Sequence, residues 1–356
     1  MQHILLKLAG KSLKELDDQG VITLKLGDLY NLAIKRGIEN DPRGKKAVDR
    51  VLKLAKEEYG ALDKDKKKDF DKDKLTNPYA DSKVLAGDLN QEIKGLLIGV
   101  DMEVGEILLA DRLREKGAEI DLIWSHHPEG KALGGLAELM KMQEDLLSNL
   151  GIPISAAEGM MAKRVSEVDR SIWPVNHNRP VDAAKLLDFA MISIHTPTDN
   201  MVATFLQNLL DKKKPETLAD VVAAIKEVPE YAQQVPINAG PKILLGSDKM
   251  RAGKIVVDMT GGTSGSEDVY ERLSRLGVST MVMMHIPESH RKLAEKNNIN
   301  VIIAGHIASD AVGMNLLMDE VEAKGVKVYC CSGFYRVKRN EKKKPAAKKK
   351  TAPKKK

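Results

Sequence analysis

Six short apolar runs, rich in β-branched residues, punctuate the chain: GLLIGVDM from Gly95, IDLIWSHH from Ile120, FAMISIH from Phe189, GKIVVDM from Gly253, VSTMVMMH from Val278 and INVIIAGH from Ile299. Stretches with apolar residues at helical spacing lie between them, and this alternation predicts α/β layers from Asn77 to about Tyr335. Upstream, LKLGDLYNLAIKRGI and AVDRVLKLAKEEYGAL read as amphipathic helices joined by a turn at NDPRGK. The sign-alternating DKDKKKDFDKDK that follows suits an exposed linker or solvated helix. Residues 1–75 are therefore expected to form an accessory helical region with a boundary near 75.

The runs recur in matching order. LLIGVDMEVGEILLADRLREKGAEIDLIWSHHPE and KIVVDMTGGTSGSEDVYERLSRLGVSTMVMMHIPE both read strand, Asp-Met, helix, strand, His, Pro-Glu, so Asp101 matches Asp258 and His127 matches His285. Further on, IHTPTD and GHIASD pair His195 and Asp199 with His306 and Asp310. A repeat of this length predicts a duplication with two similar α/β lobes, about 76–200 and 240–335, rather than a solenoid. Between them, 200–240 reads as a helical connector with Thr217 as an N-cap and Pro229 as a stop.

Charge changes this picture only at the end of the chain. The net charge is +6, but 336–356 carries twelve Lys and Arg against one acid; removing its +11 leaves the preceding residues at −5. The Lys-rich tail is expected to be disordered, with a weak, nonspecific nucleic-acid contact as its candidate role. No apolar run reaches the roughly 18 residues of a membrane span, and no signal-peptide pattern is present, so a cytoplasmic location and no membrane association are expected. Cys330 and Cys331, adjacent in VKVYCC, read as small hydrophobes of a strand.

His126, His127, His195, His285 and His306 fall at or just after predicted strand C-termini, where open α/β sheets place their ligand crevices. Successive side chains on a strand point to opposite faces, so His126 and His127 reach one cleft only where the strand ends and Pro128 turns the chain. Asp199 has a structural reading as an acid near a helix start capped by Thr196 with Pro197 following. GHIASD keeps the His-to-Asp spacing without that cap arrangement, which favours ligation. Imidazoles and carboxylates without thiolate suit two divalent ions such as zinc, iron or manganese, with open positions for water. Asp101 and Asp258 are candidates to orient ligands or to form turns, and Glu129, His195, His285, Glu288 and His290 are candidate proton carriers, His195 foremost. The Gly-rich run from Met259 to Asp268 is a weak anion-binding candidate without P-loop spacing. His177 reads as a loop residue and His3 as part of a first helix.

SHHPEG, HTPTDN and GHIASD, in this order and separated by α/β units, resemble the Nif-three-like family of dinuclear-metal-centre hexameric proteins over roughly residues 77–335. The resemblance implies a duplicated α/β fold, a toroidal homohexamer with a di-metal site inside the ring, and His126, His127, Asp199, His306 and Asp310 as metal ligands. It also brings the description of type-2 homologues of GTP cyclohydrolase I. The chain has Asp310 where many relatives have Glu, and MHIPESH where relatives often show Thr-Gly-Glu.

The leading functional expectation is a metal-dependent hydrolase acting on a nucleotide or another phosphate-bearing small molecule, with His195 and Glu129 as its catalytic proton carriers. The alternative is a non-catalytic, metal-stabilised ring that binds partner proteins.

Overall fold

The computed structural model describes residues 24–339. It opens with β1 (Leu24–Lys25), α1 (Leu26–Glu39) and α2 (Lys45–Ala61). The first lobe follows as β2 (Lys83–Ala86), β3 (Glu92–Ile93), β4 (Gly95–Gly99), α3 (Val104–Glu115), β5 (Leu122–Ser125), α4 (Met142–Leu150), α5 (Ile154–Ile172), α6 (Arg179–Leu186), β6 (Ala190–Ser193) and α7 (Thr196–Lys213). The remainder is α8 (Leu218–Lys226), β7 (Lys242–Leu245), β8 (Lys254–Asp258), α9 (Val269–Arg275), β9 (Val278–Met283), α10 (Glu288–Lys296), β10 (Asn300–Ile303), α11 (His306–Ala323) and β11 (Lys327–Cys330). All six expected strands form, and Thr217 caps α8 through a bond from the Asp220 amide.

Sheet topology makes the duplication explicit. In the first sheet β4, β5 and β6 run parallel, with β2 antiparallel beyond β6. In the second, β8, β9 and β10 run parallel, with β7 antiparallel beyond β10. The strands β2 and β7, KVLA and KILL, were not predicted, because four residues beside charged neighbours carry too little alternation.

The halves differ at one edge. β11, assigned from sequence to the second lobe, returns to pair in parallel with β4, so the first sheet has five strands. At the corresponding edge of the second sheet no strand among the described residues pairs with β8; the Gln207 amide accepts from Val257 N at 3.0 Å and donates to Ile255 O at 3.4 Å, as a neighbouring strand would.

The helical region is less of an appendage than its sequence suggests. Helix α1 buries Leu26, Leu29, Tyr30, Ala33 and Ile34 in the same core cluster as β4, β5 and β6. Its Gly37 meets α7 so closely that a Cβ would lie 2.7 Å from Pro197. α2, with only Val48 buried, and the charged segment after it stay on the surface as expected.

At the other end, Arg336 pairs with Asp319 and Glu322, and Arg339 with Glu230, so 336–339 is docked rather than disordered. The remainder of the Lys-rich tail and His3 lie outside the described residues. Within the described residues no helix is long and apolar enough to cross a membrane.

Candidate metal centre

The C-terminal ends of β5, β6 and β10 deliver the candidate ligands. Beyond β5 the backbone stays in register, with His126 N donating to Gly99 O and His127 N to Val100 O, before Pro128 turns it away. Beyond β6, His195 is the N-cap residue of α7 and Asp199 lies in its first turn. Beyond β10, Gly305 at φ 110° makes the turn into α11, placing His306 at the helix start and Asp310 one turn on. The cap reading of Asp199 is thereby set aside: Thr196 lies inside the helix, and its hydroxyl donates to Asp81.

All six side chains meet. His126 Nε2 lies 3.5 Å from Asp199 Oδ1 and 3.4 Å from Asp310 Oδ1. The other oxygen of Asp310 lies 3.6 Å from His127 Nε2 and 3.7 Å from His306 Nε2. His195 Nε2 is 3.5 Å from Asp199 Oδ2. These separations are too long for good hydrogen bonds. They match the roughly 3.4 Å between neighbouring ligand atoms of a tetrahedral ion with bonds near 2.1 Å. Among the described residues, His126 Nε2, Asp199 Oδ1 and both oxygens of Asp310 are buried without a partner. Leaving so many polar atoms unpaired is costly, so the site fits cations that would satisfy them. Three overlapping groups can hold a metal ion: His126, His127 and His195; His126, Asp199 and Asp310; and His127, His306 and Asp310.

The far nitrogens of three of these rings are fixed. His127 Nδ1 lies 2.6 Å from Asp101, His195 Nδ1 2.7 Å from Asp81, and His126 Nδ1 3.0 Å from the Thr198 hydroxyl. Such contacts aim each Nε2 inward and hold it as the free ligand atom. Asp101 thus has the orienting role considered for it, whereas Asp81 and Thr198 were not singled out from sequence. The signal for Asp81 was slight: a lone acid in the loop before the unrecognised β2.

Crowded carboxylates set the electrostatics of the metal-free centre. Burial, reinforced by Asp310 and Asp81, pushes Asp199 up to about 7 even though His195 pulls the other way. Burial pulls His195 down, but Asp199 and Asp81 outweigh it and raise the ring to about 9. Burial takes His306 down to about 4. Asp310 is held below its ordinary value: burial opposes ionisation, and His126, with His306 and His127, favours it more.

The other candidates separate by position. His285 reaches the centre, its ring 5.0 Å from that of His306, and its nitrogens make no hydrogen bond among the described residues. Glu129 is not among the residues lining the cleft; burial, with Glu103 and Asp101 nearby, pushes its carboxyl up to about 7. Glu288 pairs with Arg291 at the surface, and His290 bonds Tyr270 away from the ligands. His177 lies in the loop before α6. In the Gly-rich run, Gly261 and Thr263 turn their carbonyls to Gln143, and the run lines the cleft instead of opening a long helix.

A NIF3 superfamily protein from Sphaerobacter thermophilus has the same architecture: TM-score 0.62, 27% identity, covering 72% of this chain and 92% of that one. The chain has the NIF3 superfamily fold. Two looser likenesses are reduced HcgD from Methanocaldococcus jannaschii (TM-score 0.44, 16% identity, 69% of this chain and 87% of that one) and Staphylococcus aureus protein SA1388 (0.39, 18%, 71% and 89%). No family model and no curated protein matches the chain. Within this NIF3 fold the His and Asp cluster opens on a cleft of about 290 Å³ between the two lobes, walled on one side by Leu133 and Leu136 and on the other by Met259, Met283 and Met284.

Proposed function

We propose that this NIF3-fold protein is a two-metal hydrolase of phosphate-bearing small molecules. The observation that carries the reading is the doubly orphaned Asp310 carboxylate, one oxygen facing His126 and the other facing His127 and His306. One ion would take His126, Asp199, Asp310 and His195; the other would take His127, His306 and Asp310, so Asp310 would serve both. Divalent ions held there supply Lewis acidity toward an anionic group and a water that ionises near neutral pH.

The remaining work falls to the chain. Thr198, Asp101 and Asp81 hold the imidazoles in one orientation, and the methionine and leucine walls give the cleft an apolar lining beside the charged cluster. His195 was expected to carry protons, but both its nitrogens face carboxylates, which supports a ligand role. His285, beside His306 and free of hydrogen bonds among the described residues, is the better placed group to hand a proton to a leaving oxygen, and Glu129 is set back from the cleft. Assembly as a homohexamer, implied by the resemblance, belongs to the same proposal, and sedimentation velocity tests it.

The test is a phosphomonoester and nucleotide panel with the metal-loaded protein. Turnover should fall about 100-fold or more in His285→Gln, which spares every proposed ligand. Metal-loaded protein inert toward the whole panel would refute the hydrolase reading.

A further inference from the structure

Next to the metal cleft lies a second chamber of about 370 Å³, bounded by α4, α7, β8, β9 and α9. Its walls are mostly apolar, with Leu147, Val256, Val269, Leu273 and Met281 facing the space. Asp258, Met259, Thr260 and Met283 line both the chamber and the cleft, so the two abut along this seam. The seam is held in place: the Thr260 hydroxyl donates to Asn200, and Gln143 donates to the carbonyls of Gly261 and Thr263.

At the seam sits a carboxylate without a partner. Asp101, its counterpart in the first half, is engaged by His127; Asp258 makes no hydrogen bond or ion pair among the described residues. Crowding by the seam pushes its carboxyl up although the residue stays open to solvent, as expected where no cation or donor is near. A bipartite space with an anionic, metal-facing end, an acceptor at its waist and an apolar far end specifies a bipartite ligand. An alkyl chain threaded past Asp258 would strip water from the carboxylate and give nothing back. A waist bearing hydroxyl or N–H groups would satisfy it, and Met281, Met283 and Tyr270 suit the faces of a ring.

We propose that the chamber receives the ring of a ring-bearing phosphate ester, with hydroxyl or N–H groups at its waist donating to Asp258 and its phosphate at the histidine and aspartate cluster. Nucleoside monophosphates are the simplest members of this class. The inference rests on the phosphate reading above and adds the site that selects among phosphates.

Isothermal titration of the full-length, manganese-loaded protein with AMP, ribose 5-phosphate and octyl phosphate tests it. AMP should bind at least 10-fold more tightly than either of the others. Leu273→Trp, which fills the chamber, should erase that advantage while leaving ribose 5-phosphate unchanged; Leu150→Phe is the milder variant should the first not fold. Asp258→Leu should weaken AMP and ribose 5-phosphate alike. Equal affinity for AMP and ribose 5-phosphate, or preference for octyl phosphate, overturns the chamber assignment and leaves the phosphate reading intact. Binding of none of the three overturns both.

Discussion

Replacing Gly313 by alanine is expected to open the metal centre without touching a ligand. Gly313 lies on α11 one turn beyond Asp310, and it faces the first turn of α7, where Thr198 adjoins Asp199. A Cβ at 313 would collide with the Thr198 carbonyl oxygen and sit 2.8 Å from its carbon. Carbon atoms pack at about 3.5–4.0 Å, so the helices must part by about 1 Å. That shift acts on Asp199 against Asp310, whose distances to His126 are matched at 3.5 and 3.4 Å, and on Thr198, which fixes the His126 ring. Overpacking of this kind costs about 1–3 kcal/mol. Disturbing groups that support metal ligands typically costs about 10–100-fold in affinity. Competition titration with a chromophoric chelator measures the second quantity, and thermal unfolding of the metal-free protein the first. Gly159→Ala, in the middle of α5 with nothing within 4 Å of its would-be Cβ, is the control and should be neutral or stabilising by up to about 1 kcal/mol. If Gly313→Ala matched wild type in both affinity and stability, the argument that this helix contact sets the ligand geometry would be wrong.

Three further outcomes follow from the same geometry. Asp81→Asn should lower metal affinity about 10–100-fold with little change in fold, since it removes the carboxylate holding His195, as the same chelator titration can show. In metal-free protein the raised Asp199 contributes stability that is lost as pH rises through about 7, and the raised His195 contributes stability that is lost as pH rises through about 9. The Asp199 share is gone by about pH 7, so the His195 share should lower the melting temperature from pH 7 to pH 9 by roughly 2–4 °C per kcal/mol lost, and metal should flatten the profile; a flat metal-free profile over that range would contradict the raised His195. Asp258→Asn should be more stable than wild type at pH 8, by about 1 kcal/mol at most once solvent screening is allowed for, with the gain gone at pH 4.

The convergence of the candidate ligands was legible because duplication wrote it twice. His195 with Asp199 and His306 with Asp310 share spacing and strand-end position, and the tandem His126 and His127 precede a proline that explains how both can turn into one cleft. Residues acting across long sequence separations were not legible. Asp81 lies 114 positions from His195, and nothing in its own neighbourhood marks it. Helix α1 announces an apolar face but not its partner; the Gly37 approach to Pro197 exists only in the folded chain. The return of β11 to β4 is likewise a fact of topology, since VKVYCC reads the same in either sheet.

Anomalous diffraction from crystals grown with manganese, together with metal analysis of the same protein, tests the central claim directly. The account predicts two equivalents per chain and two anomalous peaks in the cleft, one bonded to each oxygen of Asp310. Peaks elsewhere, or none near Asp310 at saturating metal, would contradict it.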